Sequence, residues 1–492
     1  MTHRISLASL VLSLASMGLG CETTGATMPD TGLVVMPDSG VDGGPALQTS
    51  YSYTPTGCTY MVRTPTVTEA GAGRDDFGAT PMADHVHASW AGPTDTTFAV
   101  NWRSDVDTHA SSLLVGTDQA AVMAADGATT GVERHDGHFM VVSSLVHTDP
   151  PDMIHEAHVC GLTPNTTYYY RVGGTGHWSS TFSFSTGPTI GSTDPYMFGV
   201  TGDSRGYDMN AWAITEQRMQ ARAVDFEIFS GDAVEIGNVQ SEWDQFFEQE
   251  ITGTGAFQVQ DFLASHAMMM ANGNHDVLSP NYLAQFALPQ DVSPSEIGQG
   301  EDWYSFDYAN AHFVVLNDTV ASDTILSGDE AAWLRSDLMA VNRTTTPWVF
   351  VMHHQPLYTC SLGGHNPDTT LRSAWQPIFD QFHVDIVFAG HNHEYERSHP
   401  IFGYSAGGDM LAGSVAGGAP TFGADGNPSG SIYIVAAGAG APLYPCDMHC
   451  PETAFAQSVR AYVTFQISNR TLTMNAYDSL TDTMIDTLSY TK

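Results

Sequence analysis

Two patterns of hydrophobic and polar residues follow one another along this chain. From about residue 80 to residue 187, apolar and polar residues alternate in short segments that turn residues separate, and this alternation predicts half-buried strands. The segments are Thr97–Trp102, Leu113–Val115, Ile154–Val159, Thr167–Val172 and Thr181–Phe184. We therefore predict a small antiparallel sandwich of immunoglobulin-like or fibronectin-like type over residues 80–190.

From about residue 195 the alternation gives way to runs of apolar residues between helical stretches. Such runs are typical of strands that are covered on both faces, so we predict an α/β fold over residues 195–492. The runs are Met197–Thr201, Asp225–Ser230, Met268–Ala271, His312–Leu316, Val349–Met352 and Val384–Ala389. A C-terminal meander is predicted over Tyr462–Ile467, Thr471–Ala476 and Met484–Leu488.

The first 21 residues have the pattern of an export signal. The apolar run Ile5–Ala15 follows Arg4 and precedes small residues that end at Cys21, and the run is too short to span a membrane. Cysteine directly after glycine resembles a bacterial lipoprotein box, with ordinary cleavage and release as the alternative. Residues 22–79, rich in Gly, Thr, Pro and Asp, are predicted to be mostly a flexible tether. We expect an extracytoplasmic protein that is either a cell-surface or outer-membrane lipoprotein or secreted.

The charge of the chain excludes one class of partner. With 54 acidic residues against 16 Lys and Arg, the net charge is −38. Such a surface repels nucleic acid and anionic lipid, so we expect no nucleic-acid binding. Membrane contact is expected only through a lipid anchor at Cys21.

Five cysteines follow the leader, and export makes disulfides plausible among them. They are Cys58, Cys160, Cys360, Cys446 and Cys450. Because the number is odd, one thiol should stay unpaired or the framework is incomplete. Cys58 and Cys160 could close the N-terminal part. Cys446 and Cys450 favour a disulfide or a loop staple over a metal motif, since no second cysteine pair accompanies them.

A residue able to bind a metal ion follows each of five predicted strands. The five loop sequences are Gly202-Asp203, Gly231-Asp232, Asn272-Gly-Asn-His-Asp276, His353-His-Gln-Pro356 and Gly390-His-Asn-His393. Ligands bind at the carboxyl ends of strands in open α/β sheets, so these loops should converge in one crevice. Each loop alone is more simply explained as a turn or a packed histidine, but five in order are not. Oxygen and imidazole ligands without thiolate favour Fe, Mn or Zn.

The order of these loops resembles the calcineurin-like metallophosphoesterase superfamily. The segment Gly390–Arg397 and the preceding sandwich resemble the purple acid phosphatases in particular. The resemblance implies a β-sandwich flanked by helices over residues 195–492, preceded by a fibronectin type III-like domain. It also implies two divalent or mixed-valence metal ions and a small phosphate ester as substrate.

Metal ligands are carried over from the family position by position. Asp203, His393 and Asp232 would hold the first metal, and Asp232 would bridge to the second. The second site would be completed by Asn274, His354 and His391. His354 is chosen over His353 because His354-Gln-Pro356 matches the family's His-x-Pro.

Two further histidines are implied as catalytic residues outside the metal ligands. His275 would protonate the leaving group, and His365 would be the family's second outer histidine; structural hydrogen bonding is the alternative for both. The chain departs from the family at Glu235, where purple acid phosphatases have a tyrosine ligand, so colour and ferric iron are in doubt. Glu235 could ligate instead or be solvated, and Arg205 could contact phosphate or form a salt bridge.

Together these features predict hydrolysis of phosphate monoesters at a dinuclear metal centre. The two ions would lower the pKa of a shared water and stabilise an in-line displacement. A phosphodiesterase or nucleotide hydrolase on the same fold is the first alternative. A non-catalytic surface-binding protein is the second, although metal-binding residue types at all six positions argue against it.

Overall fold

The computed structural model describes residues 51–64, 68–70, 75–143, 151–206, 208–248, 257–290, 301–319, 325–403, 428–447 and 450–492. The predicted leader, the anchor residue Cys21 and most of the predicted tether lie outside these residues. Within them, no helix combines the length and the apolar character needed to cross a membrane.

The N-terminal part is the predicted β-sandwich. Its elements are β1 (Tyr51–Tyr53), β2 (Val62–Thr64), β3 (Thr68–Ala70), β4 (Asp84–Ser89), β5 (Thr97–Ser104), β6 (Ser112–Gly116), α1 (Gln119–Ala124), β7 (Glu133–Asp136), β8 (His138–Val142), β9 (Asp152–Cys160), β10 (Thr167–Gly174), β11 (His177–Trp178) and β12 (Phe182–Ser185). One layer has the order β11-β10-β6-β7 with β12 on β10, and the other has the order β4-β5-β9-β8-β3. All five strands predicted in this part are present, because alternating apolar residues face the core between the layers. Strands β1, β2 and β3 lie within residues 22–79, so the prediction of a flexible tether is wrong for these segments, which pair with other strands.

The C-terminal part is the predicted α/β fold. Its elements are β13 (Tyr196–Thr201), α2 (Met209–Arg222), β14 (Phe226–Phe229), α3 (Gln240–Glu248), α4 (Val259–Leu263), β15 (Ala267–Met270), α5 (Pro280–Gln285), β16 (Tyr304–Tyr308), β17 (Ala311–Val315), a π-helical turn (Ile325–Glu330), α6 (Ala331–Ala340), β18 (Trp348–Met352), α7 (Thr369–Phe382), β19 (Ile386–Ala389), β20 (Tyr395–Ser398), β21 (Ile432–Ala436), β22 (Thr453–Gln457), β23 (Ala461–Ser468), β24 (Thr471–Asp478) and β25 (Thr483–Thr491). The predicted apolar runs and the C-terminal meander all coincide with strands.

Two sheets face each other in this part. One runs β25-β24-β23-β13-β14-β15 and continues through β4 into the N-terminal sandwich; the other runs β16-β17-β18-β19-β21-β20-β22. Aromatic side chains fill the space between them, with Phe198 of β13 lying 5.2 Å from Phe350 of β18 and 6.2 Å from Phe388 of β19 between ring centroids. Helices cover the outer faces, as Trp212 of α2 packs on Phe229 of β14 and Trp375 of α7 joins the cluster on the second sheet.

The facing sheets change where the predicted crevice forms. Strands β13, β14 and β15 pair in parallel in the first sheet, and β18 and β19 pair in parallel in the second. The five loops predicted to bind metal therefore meet where the carboxyl ends of two sheets come together, rather than along one open sheet.

The cysteines confirm one predicted pairing and correct another. Cys58 is bonded to Cys160, as predicted. Cys450 is bonded to Cys360, and Cys446 is the free thiol among the described cysteines, so the predicted link between Cys446 and Cys450 is wrong. Cys446 lies in an antiparallel bridge opposite Ser361, and the chain continues from there to bring Cys450 to Cys360.

Candidate metal centre

Three of the predicted ligands lie in an unusual backbone conformation. Asp203, Asp232 and His391 have φ angles of 57°, 55° and 67°, in the left-handed region that side chains other than glycine seldom adopt. Each follows a glycine at the end of a buried strand. A Cβ atom added to Gly390 would lie 2.5 Å from Asp203 Oδ2, so glycine is required where these loops touch. Strained backbone of this kind is concentrated at functional sites.

One set of predicted ligands converges on Asp232. His354 Nε2 lies 3.3 Å from Asp232 Oδ2, 3.1 Å from Asn274 Oδ1 and 3.2 Å from His391 Nδ1. One ligand atom from each of Asp232, His354 and His391 lies within 4.8 Å of the others, close enough to hold one ion. The structure therefore brings together all four residues that the sequence predicted for the second metal.

The other predicted set lies next to the first. Asp203 Oδ1 is 3.3 Å from His393 Nε2, and the backbone N–H of His391 donates to both Asp203 oxygens at 3.1 Å. Arg205 borders this set, with its Nε 3.2 Å from Asp232 Oδ2 and its Nη2 3.5 Å from His393 Nε2. The two sets thus meet at Arg205, which contacts Asp232 of one set and His393 of the other, and at His391, whose backbone N–H binds Asp203.

Backbone carbonyls orient two of the histidines. The Nδ1 of His354 donates to the Ser230 carbonyl at 2.7 Å, and the Nδ1 of His393 donates to the Pro442 carbonyl at 2.7 Å. Each Nε2 therefore faces a carboxylate, and metal-binding histidines are commonly oriented in this way through their other ring nitrogen. Asp232 Oδ2 is buried and makes ion-pair contacts with Arg205 Nε at 3.2 Å and His354 Nε2 at 3.3 Å. Buried carboxylates beside oriented imidazoles, without a thiolate, are a donor set that fits Fe, Mn or Zn.

The charges at the centre are strongly coupled. Burial alone would lower the pKa of His354, but the Asp232 and Asp203 carboxylates outweigh it and raise that pKa to about 10. Burial would raise the pKa of Asp232, yet His354 and His275 hold it well below its ordinary range. Burial and the charge of His354 lower the pKa of His391 to about 2. The arrangement thus favours positive charge between Asp232 and His354.

The two predicted outer histidines lie beside the ligand sets. His275 donates its backbone N–H to Asp232 Oδ1 at 2.9 Å and its ring Nδ1 to the Glu235 carbonyl at 2.7 Å, which leaves Nε2 available. The exposed His365 packs its ring on His391, with centroids 3.9 Å apart. His353, by contrast, forms a hydrogen bond with Asp318 at 3.1 Å and so supports the site.

Glu235 and Arg205 form an ion pair. Arg205 Nη1 donates to Glu235 Oε2 at 2.6 Å, and Glu235 is partly exposed. Of the alternatives that the sequence left open for these two residues, the structure shows the salt bridge.

Three residues that contribute to the site were not assigned roles from the sequence. Asp276 accepts hydrogen bonds from the backbone of Asp232 at 2.8 Å and of Gly273 at 2.9 Å, so it ties two ligand loops together. Tyr444 stacks on His393 with ring centroids 4.3 Å apart. Asn392 contacts the loop of His365. Asp276 and Asn392 lie inside the loop sequences that contain the predicted ligands, and this position could have pointed to them. Tyr444 lies outside those sequences, so nothing in the sequence pointed to it.

Two families match the chain in separate segments. Residues 83–186 match the family described as the N-terminal domain of purple acid phosphatases, and residues 196–395 match the calcineurin-like phosphoesterases. Among curated relatives, purple acid phosphatase 21 of Arabidopsis thaliana is 32% identical over 263 residues, which cover 51% of this chain and 55% of that protein. The Fe(3+)-Zn(2+) purple acid phosphatase 12 of the same plant is 30% identical over 266 residues, covering 50% and 53%. The match thus spans about half the length of these relatives.

A solved structure shares the fold. The purple acid phosphatase isolated from yellow lupin (Lupinus luteus) seeds aligns with a TM-score of 0.66 at 19% identity, covering 84% of this chain and 74% of that one. At this identity the similarity concerns the fold, and it extends over both parts of the molecule.

Proposed function

Because the chain belongs to the calcineurin-like phosphoesterases and carries the N-terminal domain of the purple acid phosphatases, we propose that it hydrolyses phosphate monoesters at a dinuclear metal centre. The observation that supports this most is the buried Asp232, which contacts His354 of one ligand set and Arg205, a neighbour of His393 in the other set. A relative whose name specifies Fe(3+) and Zn(2+) supports a pair of unlike ions.

The ligand assignment is part of this proposal. Asp203, His393 and the bridging Asp232 would hold one ion, and Asn274, His354 and His391 the other, with Asp232 shared. Bound there, two ions supply an activated water and offset the charge of the phosphoryl group.

The remaining roles fall to side chains beside the ligands. His275 has its Nδ1 fixed by a carbonyl, so its Nε2 can hold a proton for the departing alkoxide. Arg205 is held by Glu235 next to the carboxylates, where its charge limits their mutual repulsion. Since Glu235 occupies the position of the family's tyrosine ligand and binds Arg205, we expect a protein without the purple colour.

An extracytoplasmic location completes the proposal. The bonds Cys58–Cys160 and Cys360–Cys450 fit an oxidising compartment. Attachment to a membrane through a lipid on Cys21, with no nucleic-acid partner, is the finer form of this proposal; labelling with a radioactive fatty acid, lost in Cys21→Ser, would test the anchor.

The direct test is a metal-dependent assay of the purified full chain. Hydrolysis of p-nitrophenyl phosphate should disappear after chelation and return when Mn, Zn or Fe is added. Full activity in protein shown by elemental analysis to lack metal would contradict the dinuclear mechanism. Preference for bis(p-nitrophenyl) phosphate would replace the monoesterase by the phosphodiesterase alternative.

A further inference from the structure

The segment Gly390–Arg397 sends alternate side chains in two directions. His391 and His393 contact the other predicted ligands, whereas Asn392, Glu394 and Glu396 contact the segment 359–365. Glu396 accepts the Cys360 backbone N–H at 2.8 Å, and Glu394 accepts the Ser361 hydroxyl at 3.2 Å. One motif therefore supplies ligands on one side and supports a neighbouring loop on the other.

Asn392 forms hydrogen bonds with both the N–H and the carbonyl group of the His365 backbone. The His365 N–H donates to Asn392 Oδ1 at 2.7 Å, and Asn392 Nδ2 donates to the His365 carbonyl at 3.0 Å. The same Nδ2 also lies 3.0 Å from Thr359 Oγ1. Asn392 is completely buried, so water does not compete for these bonds.

The loop that Asn392 holds is exposed, with the Leu362 N–H at its start donating to the Pro445 carbonyl at 2.7 Å. Residues 362–366 all face solvent. Gly364 passes so close to Asn392 Oδ1 that a Cβ there would clash, and its N–H donates to Ser361 Oγ at 3.1 Å. Exposed loops are usually mobile, so a buried amide that fixes one residue of such a loop has a specific positional effect.

We propose that Asn392 is a positioning residue that holds the His365 imidazole over His391, where it meets the phosphoryl group of the substrate. The inference rests on the proposed phosphatase function. His365 packs on His391 and approaches Tyr444, which stacks on His393, so its ring lies against one predicted ligand histidine and is linked to the other through Tyr444. A side chain on a free loop would have to be ordered anew in each catalytic cycle, at a cost in rate.

A double-mutant cycle tests this role. Asn392→Leu should lower kcat/KM for p-nitrophenyl phosphate by about as much as His365→Ala, roughly tenfold to a hundredfold, and the double variant should lose little more. Both single variants should keep their metal content. Additive losses, or loss of metal from Asn392→Leu, would overturn the proposal, because Asn392 would then act through something other than His365.

Hydrogen exchange supplies a readout that does not depend on activity. Asn392→Leu should speed amide exchange across residues 361–366. Unchanged exchange would contradict the proposal that Asn392 holds this loop, even if the wild-type chain proved inactive. Asn392→Asp, which keeps Oδ1 as acceptor and loses the Nδ2 donor, should give an intermediate change if the leucine variant fails to fold. Asn366→Leu, at an exposed position of the same loop, is the matched control and should change neither quantity.

Discussion

Buried histidines occur in both parts of the molecule, but their ring nitrogens have different partners. In the sandwich, His155 lies between Ser104 Oγ and Ser111 Oγ, each 2.7 Å from one of its nitrogens. In the crevice, His354 and His393 each give one nitrogen to a backbone carbonyl and turn the other toward a carboxylate. A histidine satisfied on both sides cannot bind a metal, so the partner of the second nitrogen separates His155 from His354 and His393 better than burial does.

A second cluster of possible ligands, at the border of the two parts, allows the same comparison. Asp84, His85 and Glu248 lie close enough together to hold an ion. However, Arg103 already contacts Asp84 at 2.8 Å and Glu248 at 2.9 Å, so a guanidinium compensates the carboxylates. The distance between ligand atoms therefore does not by itself identify a metal site.

The largest effect is expected from Asp232→Asn. A bridging ligand serves both ions, so its loss should exceed the roughly 10–100-fold cost of losing an outer partner of a metal ligand. Glu235→Gln should cost at most about tenfold, because partly exposed ion pairs contribute about 1 kcal/mol or less. Steady-state kinetics with metal analysis of both variants gives the comparison. Equal losses would make Glu235 a ligand and revise the assignment.

The next effect concerns His275→Ala and depends on the leaving group. An alkyl alcohol must be protonated as it departs, and general acid catalysis is worth about 10²–10⁴-fold, so alkyl phosphates should slow by at least about a hundredfold. Nitrophenolate leaves without a proton, so p-nitrophenyl phosphate should slow much less. Metal content should stay normal. If both substrates slow equally, His275 positions the substrate or supports the metal site instead.

In the sandwich, His155→Ala should affect stability and not catalysis. The change removes a ring that stacks on Trp102 at 5.1 Å and leaves two buried serine hydroxyls without their partner. The free energy of unfolding, measured by urea denaturation, should fall by about 2–3 kcal/mol, while kcat/KM stays within about twofold of the wild-type value. His177→Ala, at a half-buried position, is the control. A large loss of kcat/KM in folded His155→Ala would remove the distinction between the regions.

The smallest effect is the pH dependence of that stability. Burial lowers the pKa of His87 and of His138 to about 4 and that of His155 to about 3. Below the ordinary pKa of about 6.5, these histidines bind a proton in the unfolded chain but stay neutral in the folded protein. Each therefore lowers the free energy of unfolding as the pH drops from 6.5 toward the pKa of the folded state, by up to about 1.4 kcal/mol per pH unit.

The variant His155→Gln isolates one of these contributions. Its unfolding free energy should fall less steeply than that of the wild-type chain between pH 6 and pH 4, by about 1 kcal/mol per pH unit. Urea denaturation of both proteins in the same buffers gives the difference, which cancels the titration of other groups. Parallel curves would mean that His155 is not held neutral by its surroundings.

The strands and the loops that follow them could be predicted because their causes are local. Apolar runs such as Val349–Met352 must be buried, and a glycine before Asp203, Asp232 or His391 marks a sharp turn at a strand end. Contacts between distant segments could not be predicted in this way. The bond between Cys360 and Cys450 and the stacking of Tyr444 on His393 depend on how loops far apart in the chain fold over each other.

The domain boundaries near residues 190 and 195 remain a prediction. One sheet continues across them, and this continuity limits where the chain can be cut. Strand β15, which leads to Asn274, pairs with β4 of the sandwich through Ala267 and Ala88, and Tyr170 donates its hydroxyl to the Ala264 carbonyl at 2.6 Å. A shortened protein that began near residue 195 would expose the edge of β15 as a template for pairing with other chains. Such a fragment should precipitate rather than work as a minimal phosphatase, so engineering of the centre should keep the sandwich attached.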